Sequence, residues 1–391
     1  MQNFSTRQNA TLQLARTDDQ LAKVLAENLK TPDLCNVDHS PRVLQAHELA
    51  EWGLATARLD YDESPDRLKF VVSPSATPNA LAVWGRAKAD WIVLSEGLLD
   101  LLQEGANTTA AFLSEHQHWL FETATIRDMQ KAGNLAGLHS PMASFLYFAA
   151  VTFFVGHEAG HHVLGHDGHF RGGVHTEAVN QEPVTPSEAQ LATQALEYTA
   201  DEYGVMIARN AMIRWLFQFV EARTYTVVEQ ASFQYVVAVA MSLGVHMANT
   251  LITPRPVDWN ETVCRSHPPG TMRMVYLSNT LMSSISENFG RLGPEQINDI
   301  RYFAIGVAAK FALPEETPTR KKTPERKLYE ERLPREGEFA ALRAVGLRQI
   351  MYDQQAKEHA QEHARKIEQK YREVFPSLRP RSRKFLRGPQ E

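Results

Sequence analysis

The stretch SPMASFLYFAAVTFFVGHEAGHHVLGH, residues 140–166, decides the fold class. Ser140-Pro141 is a helix start, a capping side chain followed by Pro at the first helical position. From Phe145 to Gly156 the run is apolar on every side, so the helix it opens has no solvent face and belongs in a core. That helix is expected to end near Gly165. A membrane span needs about 20 mostly apolar residues. This run is shorter and leads directly into a histidine cluster. A second apolar stretch, Phe233–Ile252, has nearly the length of a span but carries Gln234, His246 and Asn249, groups costly in lipid. Both read as buried core helices.

The same helix carries the chemistry. Gly156-His157-Glu158-Ala159-Gly160-His161 contains HExxH. Residues four apart share one helical face, about one turn from each other, so His157 and His161 can direct both imidazoles at one ion. Glu158 lies beside the first ligand, where its carboxylate can take a proton from a water activated by the metal. Zinc accepts nitrogen and oxygen ligands tetrahedrally and keeps one position open in catalytic sites. The rival reading is a histidine-rich helix without metal, but several imidazoles buried in an apolar helix are costly without a partner.

A third ligand is required. The pattern HExxHxxGxxH fails here, because Leu164 stands where its glycine should be and position 167 is Asp. A carboxylate on a later helix is the other solution. Thr185-Pro186-Ser187-Glu188 is a capping box that starts a helix through about Ala222. Leu196-Glu197-Tyr198-Thr199-Ala200-Asp201 lies on it. Glu197 and Asp201 share a face, so Glu197 can bind zinc while Asp201 hydrogen-bonds a ligating histidine from outside. The alternative is a solvated acidic face continued by Glu202.

Outward from these helices, Phe70–Val72 and Trp91–Leu94 read as short strands separated by turn formers, Pro74, Pro78, Asn79 and Gly85. Leu98–Leu102 opens a further helix. Asp167–Val184 reads as a loop rich in His and Gly. Leu313–Thr323 reads as a linker, followed by a charged helical stretch, Glu336–Val374, and a basic end, Arg379–Arg387. The chain of 391 residues has a formal charge of −5, with the basic excess confined to the region beyond Leu313. An acidic body with a basic tail implies two pieces with different tasks. The expected division is a catalytic domain over 1–312 and a charged extension over 313–391. No nucleic-acid partner is expected from this balance. Two cysteines, Cys35 and Cys264, are too few for a disulfide framework. The first residues carry no apolar leader core, so the expected location is the cytoplasm.

The motifs together resemble the gluzincin metallopeptidases of the HtpX and CAAX prenyl endopeptidase type. Glu197–Asp201 is similar to that family's third-ligand motif. Ser266-His267-Pro268-Pro269-Gly270-Thr271-Met272-Arg273 resembles its HP-x4-R element. Pro78-Asn79-Ala80 with Ile92–Leu99 resembles its strand pair and following helix. The resemblance spans about residues 74–275 in the family's order. It implies an α+β, mostly helical gluzincin domain with a small β-sheet whose edge strand faces the cleft, to which the pattern beyond Leu313 adds a helical C-terminal extension. It implies Zn2+ on His157, His161 and Glu197, Glu158 as general base, and His267 as oxyanion donor. It implies Asp201 orienting a ligand, and Arg273 bracing the site near Glu197. It also implies a peptide or protein substrate held by backbone pairing near Asn79, Ala80, Ile92, Val93 and Leu94, with the strand at Ile92–Leu94 as the edge. The chain departs from membrane members in lacking clear spanning helices, and its tail has no counterpart there. A weaker resemblance is to Lit-like phage-exclusion proteases.

Other features take plainer readings. His162, His166, His169 and His175 are expected to be solvent-facing or hydrogen-bonded near the cleft, with an auxiliary metal site as the alternative. His246 is expected to be a satisfied core histidine. The tail is expected to be a solvated helix, with an arm that docks a partner as the alternative. The rival functional class is a zinc-bearing sensor or scaffold without catalysis, which the presence of Glu158 disfavours.

Overall fold

The computed structural model describes residues 2–61, 64–85, 89–116, 120, 135–169, 174–176, 188–219, 226–252, 270–312, 354–378, 380 and 381. In chain order the helices are α1 (Gln2–Arg16), α2 (Asp19–Leu29), α3 (Pro41–Asp60), α4 (Glu96–His116), α5 (Pro141–Val163), α6 (Glu188–Phe219), α7 (Val227–Ile252), α8 (Gly270–Asn288), α9 (Pro294–Ala312) and α10 (Gln354–Val374). The strands are β1 (Leu68–Ser73), β2 (Ala80–Trp84), β3 (Asp90–Ser95) and β4 (Val174–Thr176). The fold is mostly helical with one small mixed sheet.

Helix α5 is the axis of the molecule. Ser140 caps it, its Oγ accepting from the Ala143 N–H. Every residue from Met142 to Val163 is buried. It packs against α3, α4, α6 and α7, and against β2 and β3. An all-apolar surface leaves it nowhere else to go. Both α5 and α7 are long and apolar enough to cross a membrane, and both are covered by other parts of the fold.

Two glycines explain how closely α5 and α6 cross. A Cβ at Gly156 would stand 2.6 Å from the Ile207 Cβ, and one at Gly204 would stand 3.0 Å from the Phe153 carbonyl oxygen. The bare backbones let the histidine face of α5 meet the acidic face of α6 directly.

The sheet order is β1-β3-β2-β4, with β1 parallel to β3 and the other pairs antiparallel. Alternation divides its side chains between two cores. Phe70, Val72, Ala80, Ile92 and Leu94 face the helical core, while Val71, Leu81, Val83, Trp91 and Val93 pack against Ala15 of α1 and Leu21, Val24 and Leu25 of α2. Ser95 joins sheet to helix: its Oγ accepts from the N–H groups of Asn79 and Leu98.

One expectation about the sheet is corrected. β3 is not an edge. It is paired with β1 on one side and β2 on the other, so Ile92, Val93 and Leu94 have no backbone groups left for an incoming peptide. The outer side of β2 is occupied by β4 along Leu81–Val83. Asn79 is committed to Ser95, its carbonyl accepting from the Ser95 N–H at 3.0 Å, and Ala80 pairs with Leu94.

The charged tail also differs from the solvated helix expected. Helix α10 lays Ile367, with Ala364 and Tyr371, against Leu191, Ala195 and Tyr198 of α6 and Tyr276 of α8. The linker at Leu313–Thr323 and the stretch 336–353 lie outside the described residues. The helix ends at Val374, as expected.

Candidate metal centre

His157 and His161 of α5 and Glu197 of α6 come together with no exposure to solvent. The two Nε2 atoms are 3.2 Å apart. His157 Nε2 is 3.4 Å from one Glu197 oxygen, and His161 Nε2 is 3.6 Å from the other. Tetrahedral zinc with bonds of about 2.0–2.1 Å holds its ligand atoms about 3.3–3.4 Å apart. The triangle thus has nearly the dimensions of one face of such a tetrahedron. These three residues could hold a metal ion.

The far side of each imidazole fixes which nitrogen faces the triangle. His157 Nδ1 donates to Asp201 Oδ1 at 2.9 Å. Asp201 is itself held by Arg273, whose Nε donates to Oδ2 at 3.0 Å and whose Nη2 donates to Oδ1 at 2.6 Å. Arg273 is fully buried, so this pair is shielded from solvent. Arg273 therefore braces the site through Asp201.

His161 is oriented by another imidazole. Its Nδ1 lies 2.8 Å from His166 Nδ1. His166 Nε2 lies 3.4 Å from Thr199 Oγ1, and that hydroxyl donates to the Leu196 carbonyl at 2.9 Å. The network assigns protons consistently: His161 Nδ1–H to His166, His166 Nε2–H to Thr199, Thr199 O–H to Leu196. Both ligand candidates then present Nε2 lone pairs to each other and to a carboxylate. A buried set of acceptors with this arrangement suits a cation, and outer partners of this type hold a metal-binding imidazole in place.

Glu158 is fully buried on α5 beside His157. His267 lies outside the described residues, as does the Thr185 cap. Asp201 and Arg273 join the site, whereas the strand residues Ile92, Val93 and Leu94 are interior sheet positions and do not form an open edge.

His162 and His166 are both fully buried, so neither is solvent-facing. His162 Nε2 donates to the Trp91 carbonyl at 3.1 Å, and its ring meets Trp84 edge-on. Burial pushes its pKa down, which keeps it neutral. His166 is legible in the sequence as a histidine near the motif, but not as the partner of His161. The turn that brings it back depends on Gly165 at φ 73°, a left-handed conformation that glycine adopts without penalty. That glycine is the one signal the sequence offers for the turn. His246 is a core residue as expected, but neither ring nitrogen meets a hydrogen-bond partner among the described residues.

No family model, curated protein or solved structure matches the chain.

Proposed function

We propose that the chain is a zinc-dependent endopeptidase of the gluzincin type. One observation carries this reading: two imidazoles tied at Nδ1 and one carboxylate converge at 3.2–3.6 Å, with the HExxH glutamate buried beside them. Two nitrogens and a carboxylate oxygen are a donor set that suits zinc. When bound, zinc supplies a Lewis acid that polarises the scissile carbonyl and brings the pKa of water near 7.

The chain's own groups do the rest. Glu158 takes a proton from the attacking water as its oxygen bonds to the carbonyl carbon. It then returns that proton to the amide nitrogen as the C–N bond breaks, and the second proton of the water passes from the new carboxylic acid to the amine, so the products are a carboxylate and an ammonium group. Asp201 and His166 keep both imidazoles in one tautomer throughout. His267 is the candidate donor to the oxyanion by the HP-x4-R resemblance. Backbone pairing of a peptide with Ile92–Leu94 is not part of this reading, because β3 is already paired on both sides.

The test compares wild type with Glu158→Gln by zinc analysis and by identifying new N-termini in a cell extract. The expected result is equal zinc in both proteins, with cleavage by wild type only and a fall of at least about 100-fold in the variant. Cleavage by Glu158→Gln at the wild-type rate would overturn the mechanism. Zinc in both and cleavage by neither would favour a scaffold over an enzyme.

A further inference from the structure

The C-terminal segment touches every element that builds the metal centre. Helix α10 packs on α6 through Leu191, Ala195 and Tyr198, the last of these adjacent to Glu197. Its His363 Nδ1 accepts from the Tyr276 hydroxyl of α8 at 2.7 Å, one turn along that helix from Arg273. The Tyr276 ring meets Tyr198 edge-on. The segment then runs on to Arg381, which reaches the end of α5.

Arg381 makes an unusual set of contacts there. Its backbone N–H donates to the Val163 carbonyl at 2.9 Å, satisfying one of the orphan acceptors at the end of α5. Its Nη2 donates to Asp167 at 2.9 Å. Val163 and Asp167 bracket the short turn that carries His166 back to His161. Arg381 therefore holds both ends of that turn. It is anchored in its own right, with Nη1 2.6 Å from the Tyr61 hydroxyl and 3.1 Å from Asp90 Oδ2. Arg67 also pairs with Asp90, at 3.1 Å.

We infer that helix α10 and Arg381 form a clamp that sets the metal affinity of the His157–His161–Glu197 centre, with Arg381 as a positioning residue acting through Asp167 and His166. This rests on the metal reading proposed above. The physical reason is preorganisation: a ligand whose outer partner is held in place loses little freedom when the ion binds, and loosening such partners typically costs 10–100-fold in affinity. The clamp spans the sequence from one end of the site to the other. Helix α10 bears on the helix of the carboxylate ligand, and Arg381 bears on the turn behind the second imidazole.

The experiment uses the full chain. Zinc affinity is measured by chelator competition for wild type, Arg381→Ala, Asp167→Asn and, as a control, the exposed α10 variant Lys366→Ala. The visible absorption of the cobalt-substituted proteins is recorded in parallel, because it reads ligand geometry rather than fold stability. Arg381→Ala and Asp167→Asn are expected to weaken zinc about 10-fold and to alter the cobalt bands alike. Lys366→Ala should match wild type. If Arg381→Ala unfolds, Asp167→Asn tests the same link from the other side. Wild-type affinity and cobalt spectrum in the folded Arg381 or Asp167 variant would overturn the clamp while leaving the metal reading intact, even if melting temperature fell. Failure of wild type itself to take up zinc or cobalt would overturn both.

Discussion

Among the described residues, two groups each bring three possible ligands together, and they are instructive to compare. One is His157, His161 and Glu197; the other is Cys35, His39 and Glu96. Each gathers three metal-binding side chains within 4.8 Å. The difference lies in what stands behind them. In the first, Asp201 and His166 occupy the outer nitrogens, which leaves both Nε2 atoms turned to the Glu197 carboxylate. In the second, the Arg42 guanidinium pairs with Glu96 at 3.4 Å and already supplies its counter-charge. Burial, reinforced by the nearby Glu96 carboxylate, pushes the Cys35 thiol up to about 12, away from the thiolate a metal needs. His39 is 54% exposed at its side chain and 3.9 Å from Glu96. Proximity of ligand types is thus a poor criterion by itself. The partners behind the side chains distinguish a candidate metal centre from a hydrogen-bonded cluster.

That contrast can be broken most forcefully at Asp201. Asp201→Asn removes the charge opposite a fully buried guanidinium, and losing one partner of such a pair costs about 3–5 kcal/mol. It also disturbs the tautomer of His157. A large fall in unfolding free energy is expected together with a 10–100-fold loss of zinc affinity. His166→Ala should show the affinity loss with a smaller stability change. If both variants bound zinc like wild type, the outer partners would not be what distinguishes the two groups.

The smaller effect concerns the other cluster. Cys35→Ser should leave zinc stoichiometry and affinity unchanged. The thiol itself supplies a pH test. Its folded pKa lies above the unfolded value of 9.0, so the folded state carries its full stability below pH 9. Above that the unfolded chain ionises first, and stability is lost as pH rises from 9 towards 12. Alkylation of native Cys35 near pH 8 should be about 1,000-fold slower than in the denatured chain, following the thiolate fraction. Rapid alkylation of Cys35 in the folded protein, or loss of zinc in Cys35→Ser, would show that this cluster resembles the first after all.

Much of the candidate metal centre is legible in the sequence because its parts obey local rules. Ser140-Pro141 starts a helix, four-residue spacing pairs His157 with His161 and Glu197 with Asp201, and the all-apolar run from Phe145 carries the histidine motif into the core. The rest depends on tertiary contacts. β2 hides between turn formers, and the family resemblance makes β3 an edge, an order of strands that no single strand's sequence can check. The partner role of His166 needs the left-handed turn at Gly165. In α10 the docking stripe of Ala364, Ile367 and Tyr371 has helical spacing, yet the charged residues between them mask it. Arg381 meets Asp90 and Asp167 across more than two hundred residues of sequence, a distance at which no local pattern speaks.

The proposed crossing of α5 and α6 lets both imidazoles and the Glu197 carboxylate share one ion. Crystals grown with zinc and measured at the zinc absorption edge test it directly. One anomalous peak is expected within bonding distance, about 2.0–2.2 Å, of His157 Nε2, His161 Nε2 and a Glu197 oxygen, and none at Cys35. A peak that excludes Glu197, or no peak between the two imidazoles, would contradict it.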